Sequence, residues 1–397
     1  QKLRSTLNPA MAEGHDHDLT ELLGLLQDQK AEVRRLAAEG VLGQTEDTDF
    51  LDFCRREPRK CARPLLRLAE KAELDSAEAM AKGGYGGSKG SSEKSDKIAA
   101  AQAIHTLAAG VNSLKALVNL SAVPAVAEEL VALNAPKRLT ESLRAGWLEG
   151  RAQMAHWYSM LLANVSTCKK GQEALCADEG MLKFLVAAYL TKPRLPPRDG
   201  YEDPLVFLGG VLVNVLALTE GRKLLAMGKS QELEMLFKEM ADRPRRTDMV
   251  NAAKNVALDM ECHEALTETN LMLHMARFLC PWDKMDTESR SALPQVLRES
   301  LETEGATLTG DLAVRSAAAV CGMGLCRSLK GREYLRGFVQ VFRSWKEEES
   351  DATVKDHLDV ILPAVLLSED ELKVEQDKLA EQNSQESHKP QPTPEEA

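Results

Sequence analysis

Aromatic side chains make up only 4% of this 397-residue chain: eight Phe, five Tyr and four Trp. A β-rich fold draws on aromatic and β-branched residues to cover its pleated faces, so a chain dominated by Leu, Ala, Glu, Lys and Arg points to helices instead. No sheet is expected. The eight cysteines (54, 61, 168, 176, 262, 280, 321 and 326) include no CxxC pair. That spacing suits neither a zinc site nor a secreted disulfide framework and leaves reduced thiols as the reading. There is no apolar run of 18 or more residues and no signal-peptide pattern, so no membrane partner is expected and the cytosol is the expected compartment. Positive charge is scarce as well. A formal charge of −11 works against nucleic acid as the main partner, because phosphate binding draws on a basic footprint.

The motifs of common catalytic sites are missing too. No H-x-x-x-H or GxGxxG occurs, and the one G-x-S-x-G string, Gly86-Gly87-Ser88-Lys89-Gly90, lies in a Gly/Ser-rich stretch with no strand before it to form a nucleophile elbow. Cys262 and His263 are adjacent, but neighbours on a helix point about 100° apart, so they form no dyad. Core cysteine and surface histidine are the expected roles. His15-Asp16-His17-Asp18 lacks a scaffold to fix metal-ligand geometry and reads as part of a solvated tail. No enzyme is expected, and no cofactor or metal is assigned.

What is present is a repeated apolar phrase with an asparagine inside it. Its clearest copy is Val211-Leu212-Val213-Asn214-Val215-Leu216-Ala217-Leu218, followed by Thr219-Glu220-Gly221-Arg222. Weaker copies carry Asn119, Asn164 and Asn255, and Ala318-Ala319-Val320-Cys321 reads as a worn fifth. The asparagines are 45, 50 and 41 residues apart, close to the period of roughly 40–47 residues of armadillo and HEAT repeats. The expected fold is therefore all-α, an armadillo/HEAT-like α-solenoid with a flexible insert and disordered tails. Such a unit cannot bury its apolar face alone, so neighbours supply its core.

Leu205, Leu208, Leu212, Val215 and Leu216 form one helical stripe, and Asn214 lies about 180° round the helix from Leu205. Asn119, Asn214 and Asn255 are candidates for lining a protein-binding groove. The competing role is a bridge between adjacent helices. Asn164 shares its face with Trp157, Met160 and Leu161, which favours a buried, backbone-bonded amide. The Trp four residues before each groove Asn in importin-type armadillo proteins is replaced here by Lys115, Met160, Gly210 and Asn251. A nuclear-import receptor is thereby disfavoured.

Along the chain, residues 1–18 read as a disordered N-terminal tail. Gln1–Ala10 are set aside because Met11-Ala12-Glu13 resembles a native start. Residues 19–81 read as capping helices. They include Arg55, Arg56, Arg59, Lys60, Arg63 and Arg67, whose shared face Pro58 and Pro64 are expected to interrupt. Residues 82–97 are a Gly/Ser-rich insert that cannot offset its ordering entropy, and it lacks the Gly-Lys-Ser/Thr of a phosphate-binding loop. Residues 98–367 hold the repeats, interrupted by the proline-rich loop Lys192–Gly200 and by an inserted element at Met285–Leu301. Gly322 and Gly324 suggest close helix packing, and Pro363 a kink in the last helix. Residues 368–397 carry nine acidic and three basic residues and read as a disordered tail.

The order of these segments resembles the Hgh-one proteins, armadillo-type cofactors linked to the folding of translation elongation factor two. The landmarks are Ala116-Leu117-Val118-Asn119-Leu120, Leu161-Leu162-Ala163-Asn164-Val165-Ser166, and Lys254-Asn255-Val256 with Glu261-Cys262-His263-Glu264-Ala265-Leu266. They continue through Leu293-Pro294, Arg298-Glu299, Gly331-Arg332-Glu333-Tyr334-Leu335-Arg336 and Trp345-Lys346-Glu347. The Gly/Ser insert and Phe278-Leu279-Cys280-Pro281-Trp282-Asp283 depart from that pattern. The resemblance implies a non-enzymatic adaptor that holds a folding intermediate of elongation factor two and links it to the cytosolic chaperonin TRiC/CCT, and a monomer is expected. A general armadillo scaffold with another client is the alternative.

Overall fold

A computed structural model describes residues 9–82, 93–148, 154–191 and 203–367, together with 370, 371 and 374. Among the described residues are 22 α-helices, three short 3-10 segments and no strand, so the protein is all-α. No helix among them is long and apolar enough to cross a membrane. The chain divides into two compact units, Gln1–Leu224 and Leu225–Ala397.

The first unit contains α1 (Pro9–Leu25), α2 (Ala31–Gln44), α3 (Thr48–Arg56), α4 (Pro58–Lys82), α5 (Glu93–Leu120) and α6 (Pro124–Ala132). It continues with α7 (Ala135–Leu148), α8 (Ala155–Val165), α9 (Lys169–Cys176), α10 (Glu179–Leu190), α11 (Leu208–Leu216) and α12 (Thr219–Leu225). Helix α5 packs on α2, α4 and α8, and α11 packs on α8, α9 and α10. The stripe read from sequence on α11 is correct, because Leu205, Leu208, Leu212, Val215 and Leu216 are all buried. On α5 helical spacing predicts a face of Leu107, Val111, Leu114 and Val118, and the buried face is shifted from it. Leu107, Val111 and Val118 are half-buried, while Ala103, Ala109, Ser113, Leu114, Ala116 and Leu117 form the core face.

Several expected boundaries move. Helix α1 starts at Pro9 and runs through Met11, so residues 9–18 are not a disordered tail. Arg56 holds Asp16 through both guanidinium nitrogens, at 2.8 and 2.9 Å, which ties α1 to α3. Residues 1–8 lie outside the described ones. Of the expected insert, Lys82 ends α4 and residues 93–97 begin α5; 83–92 lie outside the described residues, as do all of Lys192–Gly200 and most of 368–397. Helix α4 continues through Pro64, so the interruption expected there does not occur. Cys54 and Cys61 sit 3.0 Å apart between α3 and α4, both fully buried. The hydrogen bond from Cys54, together with burial, pushes the Cys61 thiol far above its usual range, so Cys61 stays protonated.

The second unit contains α13 (Ser230–Lys238), α14 (Arg243–Ala257), α15 (His263–Thr267), α16 (Leu271–Leu279), α17 (Thr287–Ser291) and α18 (Gln295–Glu304). Helices α19 (Leu312–Leu325), α20 (Leu329–Arg336), α21 (Val339–Glu348) and α22 (Ala352–Leu366) complete it. The element inserted at Met285–Leu301 has its own small core, in which Met285, Leu293, Leu297 and Leu301 pack with Ala276, Cys280 and Val341. The close packing read from the two glycines is present: a Cβ on Gly322 would lie 2.9 Å from Ile361 on α22, and one on Gly324 2.6 Å from the Ala257 carbonyl of α14.

Helix junctions repeat one construction. A Cβ on Gly171, Gly221 or Gly331 would fall 2.0, 2.0 or 2.1 Å from the carbonyl of Val165, Val215 or Leu325, six residues earlier, so only glycine fits. This aligns Gly331 with the other two. The residue seven before it is Gly324, so Gly324 and not Cys321 stands where Asn164 and Asn214 stand. The fifth copy was read three residues out of register.

Candidate functional site

The asparagines of the first unit form rungs between one helix and the end of an earlier one. Asn119 on α5 donates to the Thr45 hydroxyl at the end of α2 at 2.9 Å. Asn164 on α8 donates to Ser121 Oγ after α5 at 2.9 Å and to the Val118 carbonyl at 3.2 Å. Asn214 on α11 donates to Ser166 Oγ after α8 at 2.9 Å. Each hydroxyl donates its own proton to the carbonyl three residues back, Leu42, Val118 or Ala163, at 2.8, 2.6 and 2.7 Å. Its oxygen is therefore oriented to accept the amide.

Asn164 is backbone-bonded, as expected, but half-buried rather than buried. Asn119 and Asn214 take the bridging arrangement that competed with groove lining, and they are exposed and half-buried respectively. Asn255 belongs to the second unit, where it is half-buried on α14. A double-mutant cycle on Asn214→Ala and Ser166→Ala should return a coupling of about 0.5–1.5 kcal/mol in urea denaturation. Additive effects would mean that the rung is idle.

The rungs orient a face. Counting back seven and four residues from each asparagine gives Asn112 and Lys115 on α5, Trp157 and Met160 on α8, and Phe207 at the N-cap of α11 with Gly210 within it. These positions lie on one side of their helices. None of the nine residues is buried, whereas Leu114, Leu117, Leu162, Leu212 and Val215 on the other sides are 0% exposed. Lys115 Nζ sits 4.9 Å from the Trp157 ring centroid, so a cation–π contact crosses from α5 to α8. His156 meets Trp157 and Phe207 edge-on at 5.0 and 5.2 Å, which props both rings at the surface. At Gly210 a Cβ would lie 3.7 Å from that of Ala163, a close approach of α11 to α8. The face offers amides, one cation and half-buried apolar rims. Trp157 and Phe207 were legible as partners, since both stand seven residues before an asparagine.

His263 is a correction. It was expected at the surface but is 2% exposed: its Nε2 donates to the Ala257 carbonyl at 2.8 Å, and its Nδ1 accepts from Ser328 Oγ at 2.6 Å. Burial lowers its pKa and keeps the ring neutral. Ser328 also caps α20 by accepting from Gly331 N–H at 3.1 Å, so the set bridges α14, α15 and α20. Cys262 is buried as expected. Among the described residues, no group of three or more His, Cys, Asp or Glu side chains is placed to hold a metal ion.

One family model matches the chain, described as a domain of unknown function (DUF383), over residues 146–306. That is 161 of the 397 residues, beginning at the end of α7 and extending just past α18. No curated protein matches the chain.

Proposed function

We propose that this chain is an armadillo/HEAT-like α-solenoid that acts as a non-enzymatic adaptor, holding a folding intermediate of translation elongation factor two and linking it to the chaperonin TRiC/CCT in the cytosol. The observation that carries this reading is the face of α5, α8 and α11. Nine residues in repeat register stay at the surface while the opposite sides are buried, and hydrogen bonds lock the three helices together. The face mixes amides with half-buried Trp157, Met160 and Phe207, a surface suited to apolar segments of a partly folded chain as well as to exposed backbone. The elongation factor and the chaperonin come from the resemblance in segment order.

The test is mass spectrometry of proteins retained by the chain from a lysate of its own cells. Elongation factor two together with chaperonin subunits is the expected result. A different stable set would favour a general armadillo scaffold. Lys115→Glu combined with Trp157→Ala should reduce retention about tenfold or more, since aromatic anchors dominate such contacts. Asn119→Ala, Asn214→Ala and Asn255→Ala together separate the two amide roles. If the amides only bridge helices, this variant lowers stability and leaves retention per folded molecule unchanged; lost retention would return them to the groove.

A further inference from the structure

We infer a second interaction surface, independent of that reading: a basic groove along α4 that takes an acidic segment of a partner protein. Because α4 runs unbroken through Pro64, Lys60, Arg63, Arg67 and Lys71 fall at spacings of three, four and four on one helix side. All four are exposed. Across residues 55–71 seven basic residues face two acidic ones, in a chain whose formal charge is −11.

The fold satisfies only part of this charge. Arg56 is paired with Asp16, Arg59 with Glu129 at 3.5 Å and Lys60 with Glu57 at 3.4 Å. Arg63, Arg67 and Lys71 have no carboxylate within ion-pair distance among the described residues. Two acids of α4 are engaged elsewhere, Glu70 with Arg138 and Glu73 with the Met154 N–H at 2.9 Å, while Asp75 and Asp28 border the far cleft without pairing these cations. Like charges four residues apart on a helix are mutually destabilising. Three successive cations without an ion pair therefore cost stability and neutralise no carboxylate of the unit.

They line a groove rather than a plain convex surface. A cleft of about 680 Å³ lies between Thr20 and Leu23 of α1, with Gln27 just after it, and Lys60, Arg63 and Arg67 of α4. A second, of about 350 Å³, continues past Arg34, Arg67, Lys71 and Asp75. Gln27, Pro64 and Arg67 border both. From Glu57 to Asp75 the helix side measures about 27 Å at 1.5 Å per residue. A partner helix with Glu or Asp every three to four residues matches the cation spacing over that length. No aromatic side chain lines either cleft, so the stacking platform of single-stranded nucleic acid is missing.

The probe is a fluorescein-labelled helical peptide of about 18 residues, long enough to span the groove, with Glu at i, i+4 spacing on an Ala/Leu background. Fluorescence anisotropy with the full chain should show saturable binding that weakens with added salt. Arg63→Glu with Arg67→Glu should weaken it about tenfold to a hundredfold at unchanged circular dichroism, and Lys183→Glu on α10 should leave it unchanged. The charge-reversed protein should instead bind the matching Lys peptide. Equal binding by the wild type and the Arg63/Arg67 variant overturns the proposal. So does tighter binding of polyuridylate RNA than of the acidic peptide.

Discussion

Glu349→Ala should cost the second unit about 3–5 kcal/mol, since it strips a buried cation of its counter-charge. The Glu349 side chain is 0% exposed and accepts five hydrogen bonds. Arg315 reaches it through Nε at 2.8 Å and Nη2 at 3.1 Å, Trp345 through Nε1 at 2.8 Å, and the Ser350 and Asp351 N–H groups at 2.9 Å each. Arg315 in turn holds the Thr309 carbonyl at 2.8 Å, so the carboxylate joins α19, α21, the approach to α22 and the loop before α19. Urea denaturation measures the loss, and a change under about 1 kcal/mol would place the pair among exposed ion pairs.

The same group sets a pH dependence. Burial alone would raise the Glu349 pKa, but Arg315, the Asp351 N–H and Trp345 outweigh it and hold the carboxylate below its ordinary value. A depressed folded-state pKa contributes stability that is fully present above the unfolded value, about 4.3, and is lost as pH falls through the folded one. Glu349→Gln should therefore flatten the acid limb of the stability curve below about pH 4–5. An acid limb as steep as that of the wild type would assign it to other carboxylates.

Leu212→Ala should cost about 2–5 kcal/mol through lost burial and the cavity left behind. Leu212 is 0% exposed, on the side of α11 that carries the buried Leu208, Val215 and Leu216. The repeat reading adds a spatial expectation, because a stacked unit weakens its neighbours before the far end. Hydrogen exchange should accelerate in α8, α9, α10 and α11 and stay unchanged in α1, α2 and α3. Uniform acceleration across the first unit would indicate one undivided core.

The apolar stripe of α11 was legible in the sequence because a 3.6-residue period is a local property: five positions within twelve residues define it. The bridging partners of the asparagines were not. Thr45, Ser121 and Ser166 lie 74, 43 and 48 residues from the amides they receive, and nothing local marks a hydroxyl as an acceptor. Pro64 misled because a proline predicts a break from the lost hydrogen bond alone, whereas packing of Ala62, Leu65, Leu66 and Ala69 carries α4 through it. The fifth repeat slipped because its asparagine position holds Gly324, and the register reappears only through the carbonyls beneath Gly171, Gly221 and Gly331. His263 was misplaced for a related reason, its partners Ala257 and Ser328 lying on either side of it in sequence.

The rungs of the first unit also have a direction in time. In every one the accepting hydroxyl precedes the donating amide in the chain: Thr45 before Asn119, Ser121 before Asn164, Ser166 before Asn214. A nascent chain leaving the ribosome from its N-terminus presents each acceptor before the helix that will seek it has been made. No rung waits on a residue still to be translated beyond its own asparagine. Assembly of these helices can thus proceed in the order of synthesis, each new helix closing on a finished template.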